Sequence, residues 1–178
     1  MNILETESIR LRAIEPEDVE ILYKWENDTC FWKLSNTVAP FSRYILRRFI
    51  ENQKYDIYET KQLRLIIEAK KGGRAVGAID LYEIDPTNRR AAVGILVYED
   101  KDQGQGFASS ALGALILYSF QTLGLNQLYC NVLSNNQKSI NLFKSKGFAI
   151  IGLKKEWVKS TDGWLDEYMM QLINPIKG

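Results

Sequence analysis

The stretch QGQGFASSALGALILYSF, residues 103–120, constrains this chain more strongly than any other. Two glycines stand directly before a proline-free apolar segment of helix length. Glycines at such a place let the backbone turn tightly and approach a ligand closely. The first N–H groups of the following helix lack intrahelical acceptors and lie at the positive end of the helix dipole, a setting that binds phosphate. The stretch therefore predicts a phosphate-binding loop followed by a helix.

The spacing of the loop residues separates three phosphate-binding motifs. The P-loop pattern GxxxxGK[ST] has no match, because no lysine followed by Ser or Thr stands at that offset. The dinucleotide pattern GxGxxG meets Ser109 at its third glycine, and no carboxylate follows before Glu156, although the motif needs one about twenty positions on. Gln103, Gly106 and Ala108 fit Q/RxxGxG/A, which holds the pyrophosphate of coenzyme A. An ordinary glycine turn before a core helix explains the loop alone equally well.

Composition limits the class of protein. A chain of 178 residues fits one domain with a sizeable core, and 46% hydrophobic with 25% charged residues is ordinary for a globular protein. Its apolar runs are shorter than the roughly 20 residues of a bilayer span. The start, MNILETESIRLR, is acidic where a signal peptide would be basic and then apolar. We expect one domain over residues 1–178, located in the cytoplasm and without a membrane partner.

Cysteine and histidine content excludes several chemistries. Cys30 and Cys130 lie far apart without a CxxC motif, and the chain contains no histidine. Mechanisms that depend on a histidine base are therefore excluded, and we expect no metal site.

Charge is unevenly distributed along the chain. The net charge of +1 gives no global attraction to nucleic acid, so we expect none as a partner. Residues 1–28 contain eight acidic and three basic residues, whereas residues 103–155 contain five lysines and no carboxylate. If those lysines converge in the fold, they favour a multiply anionic ligand.

Apolar periodicity predicts an α/β chain with elements in the order βααβββαβαββ. We expect a mixed, mostly antiparallel sheet of six or seven strands, with about four helices distributed over both faces. The predicted strands cover residues 9–13, 63–70, 75–84, 91–98, 128–133, 148–159 and 164–173, and the predicted helices cover 15–28, 43–53, 107 to about 123, and 137–146.

Three features together resemble the GNAT superfamily of N-acetyltransferases: the QGQGFA loop, the segment NQKSINLFKSKGF at residues 136–148, and this order of elements. The pattern NxxSIxLFxxxGF begins 33 positions after Gln103, and the pair of motifs is more specific than either alone. LRAIEPEDVEILYKWEND near the start and DGWLDEYMMQL near the end resemble the branch of ribosomal-protein alanine acetyltransferases and spermidine or diamine N-acetyltransferases. EIDPTNRRAAVGILV is similar to a hairpin of the polyamine enzymes.

The resemblance implies acetyl-CoA as cosubstrate and direct attack of an amine on its thioester. Backbone at the end of the fourth predicted strand would pair with the pantetheine arm, the glycine loop would hold the pyrophosphate, and the last helix would line the other side. The implied coenzyme-binding residues are Leu96, Val97, Tyr98, Gln103, Gly104, Gly106, Phe107, Ala108, Asn136, Ser139 and Phe143.

Two positions depart from the family pattern. Many members carry a tyrosine on the last helix as general acid, and Phe143 stands there. Related ribosomal-protein enzymes often carry a glutamate on the preceding strand, where this chain has Asn131. Neither role is transferred to this chain, and we expect Phe143 to be an apolar wall at the thiol end of the coenzyme.

Deprotonation of the amine is the larger chemical demand. An alkylamine has a pKa of about 10.4, whereas a thiol near 8.5 is a tolerable leaving group. The candidates for a base, acting directly or through water, are Glu26, Asp80 and Glu83. Odd spacing in one strand should point Asp80 and Glu83 to opposite faces of the sheet, so that only one faces the cleft.

Three functions remain open at this point. The first is a small-molecule N-acetyltransferase for a diamine or polyamine such as spermidine, favoured by the acidic amino-terminal region and the hairpin resemblance. The second is a ribosomal-protein or other protein N-terminal acetyltransferase, since an α-amine with a pKa of about 7.7 to 8.0 demands less of a base. The third is a non-catalytic acetyl-CoA-binding protein, which Phe143 and Asn131 favour. A homo-oligomer is also left open.

Overall fold

The computed structural model describes residues 2–35 and 37–175, without the side chain of Leu34. Within these residues, seven strands form one sheet: β1 Ile9–Arg12, β2 Gln62–Ala69, β3 Arg74–Asp85, β4 Arg90–Val97, β5 Gln127–Leu133, β6 Ala149–Ser160 and β7 Gly163–Ile173. In space their order is β1-β2-β3-β4-β5-β7-β6. Neighbouring strands are antiparallel except for β4 and β5, which are parallel.

In the part of the chain that the structure describes, six α-helices connect these strands: α1 Val19–Glu26, α2 Thr29–Ser35, α3 Arg43–Glu51, α4 Ile57–Thr60, α5 Phe107–Gln121 and α6 Gln137–Ser145. Local sequence sets several of their ends. The Ser42 side chain accepts a hydrogen bond from the Ile45 amide and caps α3. The Asn136 side chain caps α6 in the same way through the Ser139 amide at 3.2 Å.

Alternation along the strands gives the sheet two apolar faces. Leu65 and Ile67 of β2 belong to a large core that includes the buried faces of α5 and α6. Ile66, between them, points the other way into a smaller core with α1 and α3. The helices therefore lie on both sides of the sheet, as a period of two in the strands requires.

The sheet is parted between β4 and β5. In the part of the chain that the structure describes, these strands pair only where Arg90–Ala92 lie beside Gln127–Tyr129. Beyond that point β4 stays paired with β3 as far as Val97, and β5 stays paired with β7 as far as Leu133. An opening between two strands results, lined by backbone groups of β4.

The predicted fold class is confirmed: the chain has a mixed, mostly antiparallel sheet with helices on both faces. The helix predicted over residues 15–28 is shorter, because α1 ends at Glu26 and the Asp28 carboxylate accepts a hydrogen bond from the Cys30 amide where α2 begins. Helices α2 and α4 were not predicted. Both are short, at seven and four residues, which leaves too few turns to display helical periodicity.

Within residues 2–35 and 37–175, no helix has the length and apolar character needed to cross a bilayer. The same residues contain no cluster of three or more acidic or cysteine side chains suited to holding a metal ion.

Candidate active site

A groove of about 520 Å³ lies between the end of β4, the glycine loop and α6, and we call it the coenzyme groove. Most of the predicted coenzyme-binding residues line it: Leu96, Val97, Gln103, Gly104, Gly106, Phe107, Ala108, Asn136 and Ser139. Residues outside the predicted set also line it: Phe31, Ile95, Asp102, Ser109, Lys138 and Leu142. Lys138 is one of the five lysines in the acid-free run, whereas Lys154 and Lys155 lie on β6 and pair with carboxylates of β7.

The loop presents backbone donors to this groove. Gly106 has φ +82°, a left-handed conformation that side chains with a Cβ rarely adopt, and it is the N-cap of α5. The first intrahelical bond runs from the Ser110 amide to the Gly106 carbonyl at 2.9 Å. The amides of residues 107–109 therefore precede the intrahelical pattern, and they lie at the positive end of a 15-residue helix. Such a terminus suits a pyrophosphate.

An ion pair supports the base of the loop. Arg74 at the start of β3 donates two hydrogen bonds to Asp102, at 2.6 Å and 2.5 Å, and only 4% of the Asp102 side chain is exposed. These bonds hold the pKa of Asp102 below its ordinary value. On the other side, Lys138 Nζ donates to Gln103 Oε1 at 2.7 Å and links α6 to the loop. The amino-terminal end of the glycine loop is therefore held by two side-chain contacts from different elements.

Two residues of the predicted coenzyme set do not line the groove. The Tyr98 amide donates to the Val76 carbonyl at 3.0 Å, and its hydroxyl donates to Asp28 at 2.8 Å. Phe143 is 3% exposed and packs edge-on against Phe148, with ring centroids 5.0 Å apart. It belongs to the core face of α6, so the aromatic side chain that replaces the usual tyrosine is committed to packing.

A second cavity of about 420 Å³ lies on the opposite face of the sheet, between the floor of β2, β3 and β4 and the helices α1 and α2. We call it the acceptor cavity. It shares Phe31, Ile95 and Leu96 with the coenzyme groove, so the two spaces meet at the parting of the sheet. Its lining residues are Trp25, Glu26, Phe31, Trp32, Ser35, Gln62, Arg64, Ala78, Asp80, Tyr82, Gly94, Ile95 and Leu96.

Arg64 joins two of the predicted base candidates inside the acceptor cavity. Its Nε and Nη2 donate to the two oxygens of Asp80 at 2.6 Å and 3.2 Å, and its Nη1 donates to Oε1 of Glu26. Burial alone would lower the pKa of Arg64, but attraction to Asp80 and then Glu26 outweighs burial and raises it. Both Asp80 oxygens are occupied by the arginine, whereas only one Glu26 oxygen is.

Aromatic side chains form the walls of the acceptor cavity. Trp25, Phe31 and Trp32 come from α1 and α2, and Tyr82 comes from β3. Burial, followed by the nearby Glu83 carboxylate, raises the pKa of Tyr82 to about 12, so its hydroxyl stays neutral at physiological pH. Aromatic faces beside carboxylates favour a cationic ligand.

The expected separation of Asp80 and Glu83 onto opposite faces was wrong. Glu83 has φ +49° within a register shift between Tyr82 and Asp85, so the simple alternation ends there. Its carboxylate accepts a hydrogen bond from the Tyr129 hydroxyl. Tyr129 and Tyr82 are both paired with Ala92 of β4, so their side chains lie on the same face of the sheet, which is also the face of Asp80. Glu83 therefore reaches the same face as Asp80, but it does not line the acceptor cavity.

Sequence reasoning missed Arg64 and α2, which shape much of this cavity. Arg64 lies near the start of a mostly apolar strand, where an arginine usually indicates an exposed position. Its partners lie 16 and 38 positions away, a relation that appears only once the chain is folded. The paired aromatics Phe31 and Trp32 were the one local signal.

A groove whose loop suits a pyrophosphate, and which meets a second, anionic cavity, is an arrangement that suits a two-substrate transferase. The chain belongs to the GNAT acetyltransferases, because a family model described as an acetyltransferase (GNAT) domain matches residues 8–149. It is therefore an N-acetyltransferase, and acetyl-CoA is its acetyl donor.

Similar proteins agree with this assignment. The chain is 32% identical over 174 residues to the uncharacterised N-acetyltransferase p20 of Bacillus licheniformis, covering 97% of each chain. It is 29% identical over 152 residues to the spermidine N(1)-acetyltransferase of Escherichia coli strain K12, covering 82% of this chain and 75% of that protein.

Solved structures show the same fold. The spermidine N-acetyltransferase from Vibrio cholerae in complex with CoA and spermine has a TM-score of 0.84 at 23% identity, covering 94% of this chain and 96% of that one. A dodecameric structure of that enzyme has a TM-score of 0.76 at 23% identity, covering 94% and 95%.

Proposed function

We propose that this protein transfers the acetyl group of acetyl-CoA to a primary amine of a diamine or polyamine such as spermidine. The observation that carries the proposal is the charge of the acceptor cavity where it meets the coenzyme groove. Glu26 and Asp80 contribute two negative charges and Arg64 one positive charge, which leaves a net charge of −1 among the charged lining residues. A cavity of this charge attracts a cation.

The coenzyme is proposed to follow the lining of the groove. Amides of residues 107–109 and the loop from Gln103 would hold the pyrophosphate, and Leu96 and Val97 would pair with the pantetheine arm from the free side of β4. Asn136, Ser139 and Lys138 would line the other wall. Acetyl-CoA supplies a thioester, whose carbonyl would lie at the junction formed by Phe31, Ile95 and Leu96.

Glu26 is the strongest candidate for the group that receives the amine proton, directly or through water. Asp80 has both oxygens on Arg64, whereas Glu26 keeps Oε2 outside that pair. Once deprotonated, the amine nitrogen attacks the thioester carbon, the C–S bond breaks, and CoA leaves as thiolate. The nitrogen then loses its second proton, which balances the proton that the thiolate takes up. Phe143 cannot donate that proton. The thiol pKa of about 8.5 makes the departure feasible without a dedicated acid.

We also propose that the chain forms a homo-oligomer through the β6–β7 hairpin. β6 is the last strand of the sheet, and residues along the hairpin expose large apolar side chains, including Ile151, Trp157 and Trp164. An open, apolar edge strand readily pairs with another copy of the same chain. Light scattering would test this, since a Trp157→Glu variant should be smaller than the wild-type assembly. The cytoplasmic location stays a prediction.

The decisive experiment is an acceptor screen with acetyl-CoA that follows free thiol release. Polyamines, diamines, monoamines, amino acids, aminoglycosides and peptides with free N-termini would be compared at equal concentration. We expect diamines and polyamines to give the largest kcat/KM. Turnover confined to the peptides would favour N-terminal acetylation, and coenzyme binding without turnover of any acceptor would favour a non-catalytic role.

A further inference from the structure

Gly94 occupies a distinctive place on the floor of the acceptor cavity. Arg64 of β2, Asp80 of β3 and Gly94 of β4 are directly paired across the sheet, so all three face the cavity in one row. The next residues along β4, Ile95 and Leu96, are shared with the coenzyme groove. Gly94 is therefore the last position of the floor before the junction.

The protein itself does not require a glycine at this position. The φ of Gly94 is outside the left-handed region. A Cβ placed there would be 3.6 Å from Tyr82 Cε1 and 3.9 Å from Asp80 Oδ2, which are ordinary van der Waals distances. Gly77, on the neighbouring strand, is different, because its Cβ would be 2.0 Å from the Leu96 carbonyl oxygen. A glycine inside a strand is less stable than an alanine, so the fold alone would favour alanine here.

We propose that Gly94 is a specificity-determining residue whose missing side chain leaves room for the acceptor beside the thioester. An amine that reaches the junction must cross the floor between Asp80 and Tyr82, where a methyl group at position 94 would project. The space suits the methylene carbon that carries the reacting nitrogen of a primary alkylamine. This inference rests on the proposed function, since it assumes that an amine uses this cavity.

The test is Gly94→Ala, with Gly113→Ala as matched control. Gly113 lies on α5 outside both cavities, its φ is outside the left-handed region, and a Cβ there would meet only the end of the Lys146 side chain, 3.5 Å from Nζ. Kinetics with 1,4-diaminobutane, calorimetry with acetyl-CoA and thermal unfolding would be measured for both variants. We expect Gly94→Ala to lower kcat/KM for the diamine about tenfold or more, the scale of one misplaced methylene. Gly94→Val should lower it further.

The control and the other two measurements separate the outcomes. In Gly94→Ala, acetyl-CoA affinity should stay at the wild-type level and thermal stability should not fall. Gly113→Ala should keep the wild-type kinetics and acetyl-CoA affinity. Wild-type kinetics in Gly94→Ala would overturn the inference and leave the proposed function intact. A loss of acetyl-CoA affinity in Gly94→Ala would also overturn the inference, because it would assign Gly94 to the coenzyme groove. A wild-type protein that neither binds nor acetylates the diamine would overturn both.

Discussion

The coenzyme groove and the acceptor cavity meet at Phe31, Ile95 and Leu96, yet the chain builds them in different ways. The groove depends on backbone: a left-handed Gly106, the amides that begin α5 and the free side of β4. The acceptor cavity depends on side chains that come together from five separate elements, with Arg64 at the centre. A site built from backbone groups requires a local sequence motif that fixes the backbone conformation. The properties of a site built from side chains can be changed by a single substitution.

The largest expected effect is the loss of acetyl-CoA binding when the backbone of the coenzyme groove is disturbed. Gly106→Val places a β-branched residue at φ +82° and should abolish detectable acetyl-CoA binding, because such strain costs on the order of 1 to 3 kcal/mol and displaces the amides. Calorimetry with acetyl-CoA measures it. Gly152→Val, at a glycine without left-handed φ or near neighbours, is the control. Unchanged affinity in a folded Gly106→Val protein would move the site elsewhere.

The next effect breaks the acceptor cavity and leaves the groove intact. Glu26→Gln should lower kcat/KM for a diamine about a hundredfold, the lower range of general base catalysis, with acetyl-CoA affinity unchanged. Glu20→Gln on the same helix is the control, because Glu20 pairs with Arg43 at the surface. If Asp80→Asn reduced turnover and Glu26→Gln did not, the assignment of the base would be reversed.

A smaller effect tests whether side chains also support the groove. Asp102→Asn removes the charge that binds Arg74 and should weaken acetyl-CoA binding about tenfold, since a hydrogen bond to a charged group contributes about 1.5 to 3 kcal/mol. Asp100→Asn in the same turn should have no such effect. The pKa of Asp102 is lower in the folded protein than in the unfolded chain. Its contribution to the free energy of unfolding is therefore present above the unfolded pKa of about 3.9, and it is lost as pH falls from there through the folded pKa. Equal affinities for both variants would contradict this role.

The charge of the acceptor cavity predicts a several-fold preference. A diamine should exceed a monoamine of equal length in kcat/KM at low ionic strength, because its distal ammonium gains about 1 kcal/mol from a partly exposed carboxylate. The advantage should shrink as salt screens the pair. The measurement is kcat/KM for 1,4-diaminobutane and butylamine over a salt series. Equal values at every salt concentration would contradict polyamine specificity.

The smallest expected effect on turnover concerns Phe143. Phe143→Leu should keep most of the wild-type kcat, because the ring lies in the core and not in the groove. It should lower the free energy of unfolding by about 1 kcal/mol through imperfect repacking against Phe148. Steady-state kinetics and denaturant unfolding measure the two effects. A hundredfold loss of kcat would give Phe143 a catalytic role that its packing does not explain.

The same contrast explains how much could be predicted from the sequence. The fold class and the glycine loop were predictable, because strand alternation and the spacing of Gln103, Gly106 and Ala108 are local patterns. Phe143 was assigned to the groove by its position in a motif, but the period of α6 turns it to the core beside Ile140. Glu83 was misplaced because nothing in its sequence signals a left-handed residue. Arg64 depended on contacts between distant segments.

The parting of β4 from β5 also has a mechanical consequence. Strands β1, β2, β3 and β4 form one part of the sheet, and β5, β7 and β6 form the other. Among the described residues, three β4–β5 residue pairs join the two parts, so strand pairing is weakest between β4 and β5. A coenzyme that bonds both to the free side of β4 and to the start of α5 would add contacts between the two parts of the sheet. We expect acetyl-CoA to slow amide hydrogen exchange of β4 more than that of β2. Under the proposed binding mode, the donor molecule would complete the sheet that positions it.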